Sequence, residues 1–359
     1  MTDATQRATQ RRTVLFVSLT GDEQIKCYDL DSQTGGLTLR MVSDAHGPSG
    51  ALCLHPNGKV LYDGHVLSTT LASFRLDAAT GELTLINKVD TGVEVPAHLI
   101  TDRQGRFLLT AYYTSGGITV HRLAADGAIG ELVQYINTGE KAHAVLAVSN
   151  AHLLDEVREV EDKFVFVPHV CPVNKTSQFR FDAATGQLTA NDPAELLPPD
   201  DNTGPRHACL GPKGDVVYIV NEQGNTVTAH RFDAARGTLT IFQHLSTLPA
   251  DYTEGGYIAH TEIHPNGQWL YASNRGHDSI AGFTIADDGS LTGFGHYPVP
   301  ASPRSFNIDP TGHYLYCAGE AANRMTAYRI DQATGALQPM ADYEVGQSPF
   351  WVMVATLEF

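Results

Sequence analysis

Several short stretches of the chain crowd arginine, histidine, asparagine and carboxylates together at the ends of apolar runs. The longest is Tyr271-Ala-Ser-Asn-Arg-Gly-His-Asp-Ser-Ile280. It leaves a strand-like pattern at Ser273, carries Asn274, Arg275, His277 and Asp278 through a glycine turn, and returns to an apolar pattern at Ile280. Others are Gly204-Pro-Arg-His207, Asn221-Glu222, Pro303-Arg304, and Glu320 with Arg324. A guanidinium stays protonated at working pH and grips a carboxylate, a phosphate or a developing oxyanion with forked hydrogen bonds. A histidine held near such cations is pushed toward its neutral form, in which it can take a proton. A carboxylate between two arginines should ionise readily, which makes it a poor base and a good orienting group. The chemistry these residues suit is holding a small anion and moving a proton beside it.

Such groups need a rigid scaffold, because loops carry function only when something fixes their ends. The 359 residues suit two ordinary domains or one large repeat-built one. With 24 basic and 40 acidic residues, the formal net charge is −16, which argues against nucleic-acid binding. No apolar run approaches the length of a membrane helix, and the N-terminus has no signal-like apolar region, so a cytoplasmic protein is expected. Cys27, Cys53, Cys171, Cys209 and Cys317 are odd in number and lack metal-type spacing, as in a reduced chain. Residues 1–12 read as a disordered tail, and residues 13–359 as one domain.

That domain repeats. A Pro-x-Gly turn between apolar runs recurs in His55-Pro-Asn-Gly58, His264-Pro-Asn-Gly267 and Asp309-Pro-Thr-Gly312. A Thr-Gly-x-Leu turn, or a looser form of it, recurs at Gly35, Gly81, Gly127, Gly186, Gly237, Gly289 and Gly335, mostly 46 to 52 residues apart. Each unit reads as four short strands in a meander. The expected fold is therefore all-β, a seven-bladed β-propeller of four-stranded antiparallel blades. Thr13–Ser18 matches the second strand of a blade, and Ser348–Thr356 is a spare first strand. The C-terminus should thus supply the missing strand and close the ring, leaving no exposed edge. The structural Pro-x-Gly and Thr-Gly turns fall on one face and the polar loops on the other. The connections Asp192–Thr203 and Ser246–Tyr257 are long enough to cover the channel mouth on that polar face.

His98, His207 and His260 each precede a turn glycine by seven residues, and His143 is expected in the same place in blade 4. Strand alternation points Glu262 the same way as His260. These four histidines could line the channel, and a divalent metal could be held by their ring. Blade 4 is irregular. Its Ser149–Asp162 link is long and acidic, with a short helix conceivable over Ala151–Glu161. Its polar-face loop offers His169, Asn174 and Lys175 as ligand contacts, while Cys171 reads as a packed thiol rather than a nucleophile.

Gly204-Pro-Arg-His207, Val220-Asn-Glu222, Glu262-Ile-His-Pro-Asn-Gly267, Ser273–Ile280, Ser302-Pro-Arg304 and the turn at Asp309 resemble the lactonase family of seven-bladed propellers. That family includes propeller-type 6-phosphogluconolactonases and fungal carboxymuconate cyclases, and the resemblance spans about residues 13–356. It implies an active site of one histidine, two arginines and a glutamate, here His143, Arg206, Glu222 and Arg275. It also implies hydrolysis of a small anionic sugar-acid lactone; no cofactor is expected, and a monomer or homodimer is expected. His143 is then the expected base, with Glu222 orienting an arginine or assisting proton transfer. Substrate contacts are expected from His98, His169, Asn174, Lys175, His207, His260, Glu262, Asn274, His277, Arg304 and Glu320. Cycloisomerisation of a muconate dicarboxylate uses similar groups, and a non-enzymatic interaction propeller would also cluster polar loops on one face.

Overall fold

The computed structural model describes residues 11–148 and 162–358. Among them, 28 strands form seven four-stranded antiparallel sheets, in the meander order the repeat predicts. The first strand of each sheet is innermost and lines the central channel. Blade 1 is composite: Pro349–Glu358 pairs antiparallel with Arg11–Leu19, followed by Gln24–Leu30 and Leu37–Asp44. The closing register runs from Arg11↔Glu358 through Leu15↔Val354 to Leu19↔Pro349. An Arg11–Glu358 ion pair sits at its end. Arg11 and Arg12 thus belong to the second strand of blade 1 rather than to a tail. The rest of the expected tail and the expected helix over Ala151–Glu161 lie outside the described residues. At the edge of that region, Asp162 is buried and accepts the Arg103 N–H at 2.7 Å.

The repeat glycines explain how blades pack. Gly237 has φ of 70°, which an L side chain rarely adopts, and a Cβ there would overlap the Phe164 ring of the preceding blade. The same contact recurs around the ring. Gly35 faces Tyr314, Gly127 faces Val60, Gly186 faces Phe107, Gly289 faces Val216 and Gly335 faces Trp269. Each partner is the first residue of the second strand in the preceding blade. Gly81 departs from this rule and faces Cys27. The tyrosines two residues further on complete the joint. The hydroxyls of Tyr218, Tyr271 and Tyr316 donate to the carbonyls of Gly289, Gly335 and Gly35 at 2.8, 2.7 and 2.9 Å. The turn motif is therefore an inter-blade contact as well as a chain reversal.

Gly58 provides an internal control, because it shares the φ of 70° but has open space beyond it. Gly58→Ala should cost roughly 1 kcal/mol from backbone strain alone. Gly237→Ala should cost at least about 2 kcal/mol more, because it also overpacks the joint. Urea unfolding of the two variants checks this, and equal losses would contradict the packing role.

Candidate active site

One position of the repeat builds the pocket. Four residues after the middle of each second strand (Phe16, Tyr62, Leu109, Phe166, Tyr218, Tyr271, Tyr316) stand Thr20, Val66, Tyr113, Val170, Glu222, Arg275 and Glu320. All but Val170 line a cavity of about 440 Å³ on the polar-loop face. Residues at or just before the start of the inner strands complete it, among them Val95, Ala97, His143, Arg304 and Phe350. One side of the cavity is thus charged, and the other, formed by Val66, Leu67, Val95 and Ala97, is apolar.

The charged side is organised by one carboxylate. Arg206 is almost wholly buried at the start of the first strand of blade 5, Pro205–Leu210. Its Nε donates to Glu222 Oε2 at 2.6 Å, and its Nη1 donates to the Ala259 carbonyl of blade 6. The same Glu222 oxygen pairs with Arg275 Nη2 at 3.1 Å. Arg275 also donates from Nε to the Tyr257 carbonyl at 3.3 Å and from Nη2 to the Ile258 carbonyl at 3.4 Å. A buried guanidinium requires such pairing. Burial pulls Arg206 down to about 9, Glu222 opposes this, and the group remains charged at neutral pH. Arg304 lies 4.2 Å from the Phe350 ring centroid and pairs with Glu320 at 3.5 Å. Burial also lowers its pKa.

His143 sits on the floor facing these cations. In blade 4 the inner strand is only Leu146–Val148, and His143 lies on the backbone ahead of it, which bridges to the second strand through Ala142 and His169. The His143 N–H donates to the Pro168 carbonyl at 2.9 Å, and Lys141 takes φ of 64°. Burial, then the charges of Arg206, Arg304 and Arg275, hold the imidazole well below the usual histidine range. Its ring stands edge-on to Tyr113 at 5.6 Å and to His207 at 5.2 Å.

His98, His207 and His260 do gather in the channel, but beneath the pocket rather than in it. Their rings pack on one another and on Trp351, with centroids 5.1 to 5.9 Å apart. Only His207 touches a small enclosed void next to the floor. None of the three lines the main cavity, and neither does Glu262, which accepts from His260, Asn307 and the Ile308 N–H. Among the described residues, no group of three or more His, Cys, Asp or Glu could hold a metal ion.

Other expected contacts serve the scaffold. His169 is fully buried, with Nδ1 on the Glu140 carbonyl at 2.9 Å. Asn174 bridges the Asp200 carbonyl and the Gly204 N–H. Lys175 pairs with Glu195 at 2.6 Å. Asn274 is buried, bonds Thr247 through both ends of its amide and so ties down the connection before Tyr257. His277 bonds Ser279 at 2.7 Å and packs on Tyr252. None of these lines the cavity, and neither do the connections Asp192–Thr203 and Ser246–Tyr257. Their polar groups are consumed by backbone ends that need partners. Cys171 is partly buried, and burial raises its pKa, so it stays a thiol. Arg304 and Glu320 are in the pocket as expected. Thr20, Val66, Leu67, Tyr113 and Phe350 also line the cavity, which residue type alone does not reveal. The repeat register does reveal Thr20, Val66 and Tyr113.

Comparison with known proteins agrees with this architecture. The family model for "Lactonase, 7-bladed beta-propeller" matches residues 13–354. A 6-phosphogluconolactonase of Pectobacterium carotovorum is 35% identical over 350 residues, covering 96% of this chain and 99% of the relative. One from Yersinia pestis is 30% identical over 346 residues, covering 96% and 98%. The structure of a periplasmic gluconolactonase from Pseudomonas aeruginosa superposes with a TM-score of 0.84 at 22% identity, covering 96% of this chain and 99% of the other, and so bears on the fold. Closed ring, paired arginines and full-length match together assign the chain to the seven-bladed β-propeller lactonase family.

Proposed function

We propose that the protein hydrolyses the cyclic ester of a small anionic lactone, and that 6-phosphogluconolactone, named for its relatives, represents the substrate class. The observation that carries this reading is the Arg206–Glu222–Arg275 bridge beside a neutral His143 on the floor of one cavity. His143 takes a proton from a water molecule as that water attacks the lactone carbonyl. Charge builds on the carbonyl oxygen, where Arg275 offers a fixed cation. Collapse of the tetrahedral intermediate breaks the ring C–O bond, and the proton on His143 passes to the leaving ring oxygen. The hydroxy acid that forms ionises at neutral pH, releasing one proton per turnover. Arg304 is the second cation open to the cavity and suits the substrate's own anionic group. Arg206 acts through Glu222, holding the carboxylate that aims Arg275. Val66, Leu67, Val95 and Ala97 take the least polar face of the ring. All five cysteines are free, which supports a reducing, cytoplasmic setting.

Product NMR with δ-gluconolactone and its 6-phosphate tests the reading. Both rings should open faster than they do spontaneously, with the higher kcat/KM for the phosphate. No acceleration of either would overturn the proposal. Arg275→Ala should lower kcat/KM by about 10²- to 10³-fold while leaving Tm almost unchanged. Glu222→Gln should instead cost roughly 3 kcal/mol of stability, because it strands the buried Arg206. The acid limb of kcat/KM should lie below pH 6.5, since burial and Arg206, Arg304 and Arg275 keep His143 unprotonated there. A limb at or above pH 6.5 would remove His143 as the base.

A further inference from the structure

Below the pocket, hydrogen-bond polarity is fixed from one end. Glu262 accepts from the Ile308 N–H at 3.0 Å and from Asn307 Nδ2, so its carboxylate is anchored as an acceptor. It faces His260 Nε2 at 3.2 Å, which makes that nitrogen the donor. In the form that carries a single ring proton, His260 then has a bare Nδ1. His207 Nδ1 lies 2.9 Å from that bare nitrogen, so His207 Nδ1 carries a proton and its Nε2 is bare. His207 Nε2 and His143 Nδ1 are both buried without a hydrogen-bond partner, on rings 5.2 Å apart. His98, also beside His207, is engaged otherwise, with Nδ1 accepting the Val145 N–H at 3.3 Å. Trp351 packs on His98, His207 and His260 and helps keep water out.

We propose that Glu262, His260 and His207 are positioning residues for His143: through this chain, His207 Nε2 accepts the His143 Nδ1–H and leaves His143 Nε2 bare toward the pocket. The two unpartnered nitrogens stand on adjacent rings, and the proposed bond requires those rings to turn toward each other. The chain then does for His143 what a buried carboxylate does for a catalytic histidine elsewhere, fixing tautomer and direction without touching substrate. Burial, then Arg206, Arg304 and Arg275, disfavours protonation of His143, and burial, then Arg206, disfavours protonation of His207, so the argument from neutral tautomers holds at these two rings. The catalytic part of the inference rests on His143 being the base for lactone opening.

Two readouts test it in the full chain. With ¹⁵N-labelled histidine and no substrate, the NMR shifts of His143 and His207 should report Nδ1–H tautomers in the wild type. In Glu262→Gln, which keeps volume but removes the charge, the Nδ1–H signature of His143 should weaken. Its kcat for 6-phosphogluconolactone should fall by about tenfold to a thousandfold with KM little changed. An Nε2–H tautomer at His143 in the wild type would overturn the inference, even if the variant failed to fold. A Glu262→Gln enzyme with unchanged kcat and tautomers would do the same. The tautomer is read without turnover, so a chain that opens no lactone at all would refute the hydrolase reading and leave the NMR result to decide this one.

Discussion

A guanidinium cut off from water must find its counter-charge inside the protein, and the site is arranged around that requirement. Arg206 is buried where blades 5 and 6 meet. Its partner Glu222 comes from its own blade, while the Ala259 carbonyl it also binds comes from the next. Once Glu222 is fixed by Arg206, its oxygen is fixed for Arg275 as well. A deep and costly charge thus orients a shallow one, and only the shallow one opens on the cavity. Two arginines that look alike in sequence do different physical work because one has lost its water.

The propeller makes this economical. Turn glycines and tyrosine hydroxyls join neighbouring blades, and one repeat position from six blades converges on the same cavity. The closing pair of strands places Phe350 under Arg304 and Trp351 among the channel histidines. Ring closure therefore contributes two aromatic rings to the site as well as sealing the fold.

Much of this was legible in the chain. The glycine spacing and the Thr-Gly turns are local signals, and they specify blade number, strand order and the composite blade because each copy repeats the same short-range chemistry. Arg206, Glu222, Arg275, Arg304 and Glu320 could be read from type and loop position. The division between pocket and scaffold could not. Asn274 and His169 look as reactive as Arg275 on paper, yet their hydrogen bonds go to Thr247 and the Glu140 carbonyl. That depends on which backbone groups lack partners, a property of the assembled ring. The apolar wall was equally hidden, since Val66 is an ordinary turn residue and Ala97 an ordinary strand residue until the register brings them round to face the cations. The strand start at Arg11 was missed because its partner, Glu358, is at the other end of the chain.

The central claim is that His143, kept neutral by burial and three nearby cations, is the group that activates water. The most direct measurement is the rate of opening of 6-phosphogluconolactone by His143→Gln set against the wild type, with the Tm of both recorded. The account predicts a folded variant whose rate falls to near the spontaneous one. A folded variant that opens the ring at the wild-type rate would contradict it.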